Sequence, residues 1–119
     1  MIRVVHLFNI KPGVHEASFI EWLDAKLEAA AKQFGCRDRK TWILLDGFTG
    51  PYTNPKPVKE RPKYVNEAYW TDAAAANRFR DWLLHDPTGK QLHDQWFRSI
   101  ENHTLLRYVE GWAPVPMEG

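Results

Sequence analysis

Cysteine is nearly absent from the 119 residues. Cys36 stands alone, which excludes an intramolecular disulfide and any cysteine-built zinc cluster and fits a reducing compartment. An excess of charge of one sign is missing as well. Sixteen Lys and Arg against fifteen Asp and Glu leave a formal net charge of +1, too little to draw the chain to a nucleic-acid backbone or an anionic membrane. No apolar run approaches membrane-spanning length, and the opening Ile2-Arg3-Val4-Val5 carries no basic segment leading into an apolar leader. A soluble, cytoplasmic protein is expected, with no nucleic acid or membrane as partner. Gly-rich phosphate loops are lacking, which argues against nucleotide cofactors. The five histidines show no i,i+4 pair and no HExxH, so no protein-only metal site is expected.

What the chain has is apolar and aromatic surface to bury. Six Trp, four Tyr and six Phe within a 44% hydrophobic composition are enough for the core of one small domain, expected over residues 1–112 with a short tail at 113–119. Ile2 to Ile10 is β-branched and apolar and stops at Lys11-Pro12-Gly13, which reads as a strand and a turn. From His15 to Phe34 the apolar residues recur at three- and four-residue steps and Gly35 follows, the pattern of a long amphipathic helix. Arg39 to Phe48 reads as a second strand, and Gly50 to Pro62, with four prolines, as a long loop. Lys63 to Trp70 reads as a third strand. Thr71 is the expected cap of a helix reaching Leu84, and Asp86-Pro87 restarts it. Thr104 to Trp112 completes the set as a fourth strand.

The order is β-α-β, loop, β-α-β: an α+β, ferredoxin-like split βαβ plan with a four-stranded antiparallel sheet and its helices on one face. Strand one reads apolar on both faces, since Val5 and Leu7 alternate with Val4, Phe8 and Ile10. A bare apolar sheet face in water favours a second copy, so a homodimer is expected.

The strand-one histidine with its Lys-Pro-Gly turn, the Tyr69-Trp70 end of strand three, and Trp82-Leu83-Leu84-His85-Asp86-Pro87 running on to His93 together resemble the dimeric α/β-barrel superfamily. That superfamily holds antibiotic-biosynthesis and heme-degrading monooxygenases, stress-response barrel proteins, polyketide cyclases of the olivetolic-acid-cyclase kind and RedY-like proteins of pigment pathways. The resemblance implies a dimeric barrel and, in its RedY-like and polyketide-cyclase branches, cyclisation of a hydrophobic biosynthetic intermediate of secondary metabolism.

His6 lies mid-strand among Val5, Leu7 and Phe8, where an apolar wall shifts an imidazole toward acid/base use; the cyclases carry a functional histidine at this place. His93 follows Trp82 on the later helix, at the position where heme-degrading relatives ligate iron. His85 is its competitor, because the cyclases have a histidine near a similar His-Pro bend. Asn66 and Tyr64 share one face of strand three, and a mid-strand asparagine suits the stabilisation of an enolate or carbonyl. Arg107 binds a carboxylate or phenolate if it points inward and only solvates the sheet if it points outward, the commoner arrangement. Phe8, Trp22, Trp70 and Trp96 are expected to line a pocket, with Tyr52 at the tip of a Gly50–Pro62 lid. His15 is expected at the surface and His103 at the surface or a strand edge. Together these residues describe a cofactor-independent cyclase working by histidine acid/base catalysis on a hydrophobic aromatic or indolic molecule. The alternatives are a monooxygenase of the same superfamily, cofactor-free on a quinol or heme-degrading, and a non-catalytic small-molecule-binding dimer.

Overall fold

The structure is a computed structural model that describes residues 1–47, 51 and 60–111. Strand β1 (Ile2–Ile10) leads into helix α1 (Glu16–Gln33), strand β2 (Cys36–Ile43), strand β3 (Tyr64–Trp70), helices α2 (Ala73–His85) and α3 (Pro87–Arg98), and strand β4 (Ile100–Val109). The four strands form one antiparallel sheet in the order β2-β3-β1-β4, the ferredoxin-like α+β arrangement.

Local chemistry sets most boundaries. His15 caps α1 through Nδ1, which accepts from Ser18 N at 3.2 Å, and Gly35, at φ +92°, supplies the left-handed residue after the helix. The cap of α2 is Asp72 rather than Thr71: its carboxylate accepts from Ala75 N at 2.8 Å, and a charged oxygen outcompetes a hydroxyl for that N–H. Asp86 closes the α2 end and caps α3, with Pro87 at the first helical position. The following turn packs tightly on α2, since a Cβ on the buried Gly89 would lie 2.8 Å from the Trp82 ring. Two strands differ from expectation. β2 starts at Cys36 and ends at Ile43, leaving Leu44 and Leu45 exposed beyond it, and β4 starts at Ile100, directly after the α3 cap Ser99. Trp112, Tyr52 and most of the expected Gly50–Pro62 lid lie outside the described residues.

Alternation along the strands sorts the sheet into two faces. Ile2, Phe8, Tyr64, Trp70 and Ile100 point to the helices and pack with Phe19, Leu23, Leu27, Ala31, Phe79, Leu83 and Trp96 in one core. Full burial of side chains such as Phe8 and Leu23 contributes roughly 1.5–3 kcal/mol each. Val5, Val65, Glu67, Trp42, Leu106 and Tyr108 occupy the opposite face by the strand register. There Trp42, Leu106 and Tyr108 are exposed.

Each edge strand carries one extra residue. Arg37 pairs with Tyr69 and Lys40 with Glu67, so Asp38 and Arg39 together oppose Ala68. Leu7 pairs with Thr104 and Asn9 with Glu101, so Asn102 and His103 together oppose Phe8. Both bulges have an Asx residue at positive φ, Asp38 at 27° and Asn102 at 53°, the conformation these side chains tolerate best after glycine. The extra residue shifts the alternation by one, which turns Arg39 and His103, instead of Asp38 and Asn102, toward the helices.

Candidate active site

Between the sheet and helices α2 and α3 lies a cavity of about 340 Å³. Its wall is mostly Val4, Leu27, Ala68, Trp70, Phe79, Leu83, Trp96 and Phe97, and its polar groups come from His6, Arg39, Asn66, His93 and His103, together with the exposed or partly exposed residues Asn77, Arg80 and Arg107.

The polar groups are held by their neighbours. His6 and Asn66 are cross-strand partners on the middle two strands. The Nδ1 of His6 and the Nε2 of His103 share a hydrogen bond of 2.9 Å, one nitrogen donating and the other accepting. The two rings stack at 5.2 Å, and Trp96 lies 4.7 Å from His6. Phe97 supports His103 edge-on at 4.7 Å and His93 face-on at 4.3 Å. Arg39 is clamped from behind: its Nη1 donates to Asp24 Oδ1 at 2.9 Å, and the Thr41 hydroxyl donates to the same oxygen at 2.6 Å.

Burial dominates the titration of the three imidazoles. Loss of water pushes His6 down to about 3, helped by the positive charge that His103, His93 and Arg39 would place beside it. Burial also lowers His103, with His93 adding to the effect, and lowers His93. At neutral pH all three are therefore uncharged, and each offers one donor and one acceptor nitrogen. With Nδ1 of His6 engaged by His103, its Nε2 is the nitrogen left for a ligand.

Of the residues singled out in the sequence, His6, His93, Asn66, Trp70, Trp96 and Arg107 line this cavity. Arg107 is exposed yet lies on the helix side of β4, where it donates to Asn77 at 3.2 Å, so the outward reading is corrected. The others fall elsewhere. His85 is exposed at the end of α2, because the α2 face that packs inward runs through Ala75, Phe79 and Leu83. Tyr64 is buried over Phe8, 5.9 Å between rings, and its hydroxyl donates to Glu16 at 3.0 Å. Phe8 is sealed between Tyr64 and Trp96. Trp22 lines a separate groove between α1 and the α2–α3 pair. Two cavity residues were missed by sequence reasoning, His103 as a partner of His6 and Arg39. The signal for both was an Asp or Asn beside them within a strand pattern, the residues that accept the left-handed backbone of a bulge. Among the described residues no group of three His, Cys, Asp or Glu has a metal-holding arrangement.

No family model matches the chain, and no curated protein matches it. Solved structures do. Hydroxynitrile lyase from Passiflora edulis superposes with a TM-score of 0.65 at 14% identity, covering 96% of this chain and 96% of its own. SnoaB, a cofactor-independent oxygenase from Streptomyces nogalater, gives 0.63 at 18% identity over 99% and 97% of the two chains. A dimeric ferredoxin-like protein of unknown function from a Jannaschia species gives 0.64 at 17% identity over 91% and 97%. At these identities the likeness establishes the ferredoxin-like fold, on which both enzymes and proteins of unknown function are built.

Proposed function

We propose that this protein is an enzyme that needs no cofactor and uses the His6–His103 pair as its acid/base device on a hydrophobic aromatic or indolic molecule. The observation that carries the reading is that pair, two imidazoles joined at 2.9 Å in the wall of a largely apolar cavity. Nε2 of His6 takes a proton from a carbon next to a carbonyl, and His103 orients the ring and shares the charge that develops. Asn66, opposite His6 in the sheet, offers its amide to the enolate oxygen. A cavity of about 340 Å³ holds a bicyclic or folded chain with its reacting ends together. Intramolecular carbon–carbon bond formation from such an enolate, a cyclisation, is the reaction that this arrangement serves best. His93, one ring removed across Phe97, takes the part of a second proton carrier. The oxygenase and lyase among the structural neighbours support catalysis on this fold. The reading includes a homodimer built through the apolar sheet face, in keeping with the dimeric Jannaschia neighbour.

Proton abstraction is testable without the natural substrate. Beta-tetralone, an aromatic ketone of suitable size, should exchange its benzylic proton for deuterium faster in the presence of the protein, followed by NMR. His6→Gln should lose on the order of a hundredfold of that acceleration, and His103→Gln a comparable amount. Equal exchange by wild type and His6→Gln would reject the assignment.

A further inference from the structure

We propose that Arg39, Trp96 and Asn66 form an oxyanion-binding corner in this cavity, so that the ligand is a largely apolar molecule carrying one acidic oxygen function, a carboxylate, phenolate or enolate, beside a hydroxyl or carbonyl. This rests on the reading of the cavity as the ligand site and supplies its substrate class.

Among the described residues, three buried side-chain polar atoms have no hydrogen-bond partner: Nε of Arg39, Nε1 of Trp96 and Oδ1 of Asn66. All three residues line the same cavity. Their side chains are deeply buried, with 3% exposure for the Arg39 side chain and 1% and 3% for Trp96 and Asn66. Buried donors and acceptors left unpaired are costly and uncommon in native proteins, and at a cavity wall a bound molecule is the natural partner. Strand register and ring packing place the three residues near His6. Asn66 is its strand partner, Trp96 lies 4.7 Å from its ring, and Arg39 sits in the bulge that opposes Ala68, two residues along β3 from Asn66.

The chemistry of the corner selects an anion. Arg39 holds Asp24 and Thr41 with its terminal nitrogens and keeps its Nε–H edge for the cavity, while the Trp96 indole can only donate. Two donors, one on a permanent cation, suit an oxygen with negative charge. The Asn66 amide accepts from a neighbouring hydroxyl or, turned over, donates to a second oxygen. Among the described residues no Asp or Glu lines the cavity, whereas Arg80 and Arg107 do. The charged side chains among the described lining residues are those of Arg39, Arg80 and Arg107. An anion placed here would also counter the pull of Arg39 on His6 and return that imidazole toward a useful basicity.

The test compares an ortho-hydroxynaphthoate with its uncharged carboxamide, titrated into the full-length protein and read by tryptophan fluorescence and calorimetry at neutral pH. The acid should bind at least about tenfold more tightly than the amide, the effect of one charge-assisted hydrogen bond in a dry site. Arg39→Met should abolish that preference. Asn66→Asp, which keeps the buried ion pair with Asp24 and so covers the case that Arg39→Met fails to fold, should reverse the preference. Equal affinities in the wild type, binding of neither probe, or a preference that survives both substitutions would each overturn the proposal. His6→Gln should lose proton exchange on beta-tetralone while still preferring the acid to the amide, so a failure of the oxyanion corner and a failure of the acid/base assignment show up in different measurements.

Discussion

A histidine that gives up its water shell on folding makes stability depend on pH in a definite direction. In the unfolded chain His6 titrates near 6.5, and in the fold it is pushed down to about 3. Between those values the unfolded chain binds a proton that the native protein refuses, so acidification favours unfolding, by up to about 1.4 kcal/mol per pH unit for one such group. His93 and His103, also lowered, act with the same sign. Urea midpoints should therefore fall between pH 7 and pH 4.5, and His6→Gln should flatten the decline. An identical slope in that variant would mean that His6 stays solvated. The carboxylates separate cleanly from this effect. Burial works to raise Glu67, but Trp42, Arg3 and Tyr69 donate to it and outweigh that, holding it below its ordinary value of 4.5. Its contribution is thus fully present above 4.5 and is lost only in more acid solution.

Strands and helices differ in how openly the sequence displays them. β1 matches its apolar, β-branched run residue for residue, and Asp86-Pro87 marks the break between α2 and α3 because a cap and a proline at the first helical position are local chemistry. His6, Asn66 and Trp96 were legible for a related reason, since each stands out within a regular element. Arg39 and His103 were not, because the expected strands began at Arg39 and at Thr104, whereas the bulges carry β2 back to Cys36 and β4 back to Ile100 and so bring both side chains into the sheet. The bulge in β4 turns on the positive φ of Asn102. Asn102→Gly should leave thermal stability nearly unchanged, whereas Asn102→Val should cost about 1–2 kcal/mol. It should also disturb the His6–His103 hydrogen bond, seen as altered imidazole nitrogen shifts. If valine is accepted with both stability and shifts intact, the left-handed residue is not what aims His103.

At the scale of the whole molecule, the two sides of one sheet have different tasks. The helix side holds the core and the cavity. The other side exposes Trp42, Leu106 and Tyr108 around a buried Glu67 whose carboxylate is already satisfied by its own chain, a surface suited to burial against a second copy. Sedimentation at micromolar concentration should give twice the 13.9 kDa chain mass, and Leu106→Glu should shift it to the monomer by placing a charge in the contact. A wild-type species at 13.9 kDa would refute the dimer. The paired bulges bear on how such chains can be compared. A bulge is a phase shift in a two-residue code, and β2 and β4 each run out of step for the stretch on one side of it. Ungapped matching of β4 to an unbulged strand sets helix-side positions of one chain against opposite-face positions of the other. A single-residue gap at Asn102 restores the correspondence, because Glu101 on one side and Thr104 on the other keep their partners Asn9 and Leu7 whether or not the extra residue is there.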